Sequence, residues 1–69
     1  MSLTLGTFEY CDLVVEYEWD KYAPHFIVLV GRKYNGVVNL IWIKRYATPE
    51  QAKRSYNRQV LKVKKGDYQ

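Results

Sequence analysis

The chain has one cysteine, Cys11, and one histidine, His25. A single thiol excludes an internal disulfide framework, and with it the small secreted scaffold that depends on one. A single imidazole excludes a histidine-based metal cluster, and the other ligand types are too scattered, so no metal and no cofactor are expected. No apolar run approaches the roughly 18 residues of a membrane span; the longest, Phe26 to Val30, has strand length. No basic segment followed by a long apolar stretch opens the chain, so no signal peptide is evident. A soluble, intracellular, cytoplasmic protein without membrane contact is the expectation. Gly31 and Gly36 stand apart with no helix start beside them, which leaves no phosphate-cradling loop.

Catalytic sets are equally thin. Cys11, Asp12 and His25 are the only thiol-containing nucleophile and base group, and a lone cysteine on a strand is far more often a small buried residue. Glu16 and Glu18 alternate on one strand face, where carboxylates usually serve solvation and edge protection. No catalytic residue is assigned and no enzyme is expected.

What is abundant is aromatic surface and, in one half, positive charge. Seven tyrosines, two tryptophans and two phenylalanines suit a β-rich core or a contact surface. Residues 1–30 carry one lysine against five carboxylates, a net of −4, while residues 31–69 carry ten Lys and Arg against two carboxylates, a net of +8. This asymmetry implies two faces with different partners. Alternatively, acidic and basic strands pair in the fold and cancel locally.

Sixty-nine residues make a single domain, 1–69, with a modest core that would gain from a partner. Residues 7–19 alternate with period two but change parity at Cys11-Asp12, which predicts one strand kinked near 11–12, or two short ones. Residues 25–32 have an apolar centre that suggests a central strand buried on both faces. Asn35-Gly36 is a hairpin signal, and the returning strand is expected over 37–46. Thr48, Pro49 and Gln51 mark a helix start, and Lys62, Lys64, Lys65 and Gly66 mark its end, giving a helix over 49–65. Its apolar arc is Ala52, Tyr56, Val60 and Val63, with Gln59 alongside. Leu61 falls amid the basic arc: either the helix frays before it, which is favoured, or Leu61 touches a partner or the sheet edge. The architecture is α+β, an antiparallel sheet of three or four strands (β-β-β-α) with one C-terminal helix packed across a face.

Six cations against the single Glu50 make the helix lopsided. Nucleic-acid contact needs cations clustered on one face to displace condensed counterions. The candidate set is Arg32 and Lys33 at one end of the hairpin, Lys44 and Arg45 at the other, and Lys53, Arg54, Arg58, Lys62, Lys64 and Lys65 on the helix. Tyr34 beside Arg32-Lys33, and Tyr46 beside Lys44-Arg45, are planar groups able to stack on bases.

Gly31-Arg32, Gly36, Tyr46, Ala52 with Tyr56, and Gly66 with Tyr68 occur in an order that resembles the WGR domain, over about residues 26–68. That family is a sheet-plus-helix module of poly(ADP-ribose) polymerases and bacterial proteins. Val30 stands where its signature has tryptophan, its second turn glycine is missing, and Asp67 splits the closing pair. The resemblance implies DNA contact through the signature segment and nearby cations. The expected function is therefore a small non-enzymatic nucleic-acid-binding domain, with DNA ahead of RNA as partner. The alternative is a protein-interaction module, a small viral or accessory protein that docks on a larger partner through aromatic and acidic strand surfaces. A homodimer through an unpaired strand edge is compatible with either.

Overall fold

The computed structural model of the protein describes residues 2–68. Four strands, β1 (Ser2–Tyr10), β2 (Leu13–Asp20), β3 (Phe26–Tyr34) and β4 (Val37–Tyr46), form one antiparallel sheet in sequence order, followed by helix α1 (Pro49–Lys65). The α+β fold of a sheet and one C-terminal helix is the one the patterning predicts.

The segment expected as a strand over 7–19, kinked near 11–12, is instead two strands joined by a two-residue turn. Tyr10 pairs with Leu13, and Cys11 takes a φ of 56° to close the turn. The parity change is thus a reversal of direction. A left-handed Cys is a costly choice, roughly 1–2 kcal/mol for a residue with a Cβ, so propensity gave no turn signal here. Cys11 is exposed, not the small buried residue expected. The β3–β4 turn uses Asn35 at 52° and Gly36 at 79°, both left-handed as a tight hairpin requires.

Register sorts the side chains between two faces. Val15 faces Val30, which faces Trp42, and Tyr17 faces Val28, which faces Lys44. This face carries the helix. Leu13, Val15, Val28, Val30, Ala52 and Val63 are fully buried there, with Phe8, Trp42, Tyr56, Val60 and Tyr68 packed around them. β2 and β3, the inner strands, supply most of the core. β3 also turns Ile27 and Gly31 inward on the opposite face, where no element packs. Each outer strand has one extra residue against its neighbour, Leu5 in β1 and Ile41 in β4. Gly31 lies at the second of these bulges, and a Cβ on it would come within 2.4 Å of Val38 Cγ1.

Thr48 Oγ1 accepts from Gln51 N at 3.3 Å, which caps the helix start. Gly66 at φ 83° ends it: its N–H donates to Val63 O and that of Asp67 to Lys62 O, a Schellman closure. The helix therefore does not fray before Leu61, and that residue sits on its outer surface, 55% exposed. The buried arc also differs from the apolar one. Ser55 and Gln59 are buried beside Ala52 and Val63, whereas Tyr56 and Val60 are half-buried. Polar burial is satisfied by tyrosines: Tyr46 and Ser55 share a hydrogen bond of 2.7 Å, and Tyr68 donates to Gln59.

Candidate nucleic-acid interface

The ten candidate cations divide into two sets with different neighbours. In the sheet, Arg32 Nε lies 3.2 Å from Asp12 Oδ2, at ion-pair distance but off the line of a hydrogen bond. The same guanidinium donates to Tyr68 O at 2.7 Å, which ties β3 to the chain after the helix. Lys33 pairs with Glu9 across the sheet. Arg45 donates to Asp20 Oδ2 at 3.0 Å, and to the carbonyls of Pro24 at 3.1 Å and Tyr22 at 3.3 Å. That hydrogen bond from Arg45 holds the Asp20 carboxyl below its usual range. Arg45 is a clamp on the β2–β3 loop. These three carboxylates all come from the acidic half, so local cancellation operates within the sheet.

On the helix, no ion pair among the described residues engages Lys53, Arg54, Arg58, Lys62, Lys64 or Lys65, and all are exposed. At about 100° per residue, Arg54, Arg58, Lys62 and Lys65 follow spacings of four, four and three and form one row. Lys53 and Lys64 fall on the other flank, where Lys64 Nζ sits 5.3 Å from the Phe8 ring centroid of β1.

The row of four borders β4. Between helix and strand runs a groove of about 180 Å³ lined by Lys44, Tyr46, Gln51, Arg54, Ser55 and Arg58. Its lining includes three cations and no carboxylate. The Tyr46–Ser55 hydrogen bond fixes the two walls, and Lys44 Nζ lies 5.6 Å from the Tyr46 ring centroid. Gln51, Tyr46 and Ser55 supply neutral donors beside the cations. Tyr46 was legible in the sequence as a planar group, whereas Gln51 and Ser55 were not. Their signal is weak, a polar residue on each side of the arginine row, and it gains meaning only once β4 lies alongside.

Not all the candidates meet. Tyr34 is 70% exposed near the tip of the β3–β4 hairpin, with Arg32 and Lys33 preceding it. The groove lies at the opposite end of β4, nine residues of strand away, or roughly 30 Å by strand rise. The structure therefore brings together Lys44 and the helix row, and separates them from Arg32, Lys33 and Tyr34. Cys11 and His25 likewise occupy opposite ends of β2. His25 stacks on Trp19 at 6.0 Å, and its Nδ1 lies 2.9 Å from Asp20 O. Among the described residues no group of three or more metal-ligating side chains occurs, and no helix is long and apolar enough to cross a membrane. Comparison with protein-family profiles, curated proteins and solved structures finds no match to the chain.

Proposed function

We propose that the protein is a small non-enzymatic nucleic-acid-binding domain whose contact surface is the groove between α1 and β4 together with the helix row beside it. One observation carries this reading: Lys44, Arg54 and Arg58 converge on a groove that contains no carboxylate. Converging cations without counter-charges meet a phosphate backbone at little cost in broken internal pairs. Arginine adds a planar fork suited to phosphate oxygens. Tyr46, on the groove wall, offers a ring face to a sugar or an unstacked base. Arg32, Lys33 and Arg45 would have to give up their carboxylates to join, so they play a secondary part in the reading.

Affinity for an oligonucleotide, followed by fluorescence anisotropy across a salt series, tests this. Five phosphate contacts by Lys44, Arg54, Arg58, Lys62 and Lys65 give log K against log salt a slope of about −4 to −5 on duplex DNA. A flat dependence, or no binding at low salt to duplex DNA, single-stranded DNA or RNA, would overturn it. DNA is favoured over RNA only by the WGR-like order of residues, and the same series on both polymers decides between them. A second reading, docking on a protein, is favoured by the exposed Leu61 within the basic arc.

A further inference from the structure

Two surfaces on opposite sides of the molecule lack a counterpart within it. The first is the open face of the sheet. Glu16 sits there in register between Thr7 and Leu29, and Glu18 between Thr4 and Ile27. Glu9 and Asp20 have Lys33 and Arg45, but no ion pair among the described residues involves Glu16 or Glu18. Hydrogen bonding with Glu18, burial and the repulsion between the two push the Glu16 carboxyl up to about 7. Beside this pair, Leu40, Ile43 and Val38 of β4 are 56%, 49% and 43% exposed. A neighbouring apolar and acidic patch of this kind fits an apolar residue ringed by cations.

The second surface has that composition. Leu61 lies nine residues from the buried Ala52, hence on the opposite pole of the helix. Arg54 and Lys65 flank it on one side and Asn57 and Lys64 on the other. We propose that the open sheet face is a docking surface for the outer helix face of a second copy of this chain. Leu61 seats against Val38, Leu40 and Ile43, and the helix cations lie beside Glu16 and Glu18.

Charge complementarity selects this occupant. A symmetric pairing of two open faces would place four carboxylates without cations in one apolar interface. Edge-to-edge pairing meets the extra residues Leu5 and Ile41, which interrupt the outward row of backbone donors and acceptors. Sheet against helix instead matches unneutralised acid to unneutralised base and apolar to apolar. The two patches are different surfaces, so the contact is heterologous and does not close on itself, and it builds open chains of copies. A single helix face buries an area at the small end of interfaces, so association is reversible and depends on concentration. The contact needs no nucleic acid and stands apart from the nucleic-acid reading.

Sedimentation velocity on the nucleic-acid-free protein tests it, using Leu61→Asp and the double variant Glu16→Lys/Glu18→Lys. Wild-type mass should climb beyond a dimer with concentration at low ionic strength and fall toward the monomer in high salt. Each variant alone should be monomeric, its association weakened at least tenfold. Mixed in equal amounts, the two should form a dimer and stop there, since each contributes one intact surface. Both changes are at surface positions, and far-ultraviolet circular dichroism on each checks the fold. A wild type that stays monomeric at every concentration, a closed dimer indifferent to Leu61→Asp, or a mixture that remains monomeric would each overturn the proposal.

Discussion

The cations of the sheet and those of the helix are similar in kind and opposite in circumstance. Arg32, Lys33 and Arg45 are held by Asp12, Glu9 and Asp20, three carboxylates from the first twenty residues. The six cations of α1 face solvent with no carboxylate paired to them among the described residues. Antiparallel register explains the difference: it brings the acidic β1–β2 hairpin and the β2–β3 loop against β3 and β4, but leaves the helix outside the sheet's reach. The two accounts of the charge asymmetry, separate faces or local cancellation, are therefore both correct, each for one layer. The lesson is that a basic residue counts toward a binding surface only after its internal partners are subtracted.

The largest expected effect comes from reversing the groove. Arg54→Glu with Arg58→Glu should lower duplex affinity by at least about 100-fold, since each charge-assisted hydrogen bond contributes about 1.5–3 kcal/mol. Thermal stability should hardly move. Next comes the complementary change in the sheet. Arg32→Ala removes the bond to Tyr68 O and an exposed ion pair, and should cost about 1–2 kcal/mol in urea denaturation. Its nucleic-acid affinity should stay within about twofold, as befits a residue outside the contact. An Arg32→Ala protein of normal stability and lost affinity would erase the distinction between the two sets.

A smaller effect concerns pH. Glu16 binds its proton more tightly in the folded state than in the unfolded one, so the folded state holds more protons between about pH 5 and about 7. Stability is therefore lost as pH rises through that window, and solvent screening keeps the loss to about 1 kcal/mol or less. Glu18→Gln should flatten the dependence, seen as melting temperatures that no longer fall from pH 5 to neutrality. The smallest effect belongs to the far flank of the helix. Lys53→Ala with Lys64→Ala should reduce affinity less than about threefold and change the salt slope by less than about one.

The parts of the fold legible in sequence were those set by local chemistry. Thr48, Pro49 and Gly66 mark the helix ends because caps and left-handed glycine act within a turn. Asn35-Gly36 marks its hairpin for the same reason. The β1–β2 turn was hidden because Cys11 and Asp12 carry no comparable preference, and only tertiary pairing enforces the left-handed φ. Fraying before Leu61 was a wrong expectation: the Schellman closure at Gly66 and the bonds of Gln59 and Arg32 to Tyr68 secure the last turns. At the candidate site, the helix cations could be read from composition. The neutralisation of Arg32, Lys33 and Arg45 could not, because it depends on strand register. The groove itself needs β4 beside α1, a relation no spacing within either element encodes.

The most direct measurement is a residue-resolved titration of the protein with a short DNA duplex at low salt, followed by amide chemical shifts. The account predicts the largest shifts at Lys44, Tyr46, Arg54, Arg58 and Lys62, with little change from Arg32 to Gly36. Shifts centred on the Arg32–Gly36 hairpin, or none anywhere as duplex is added, would contradict it.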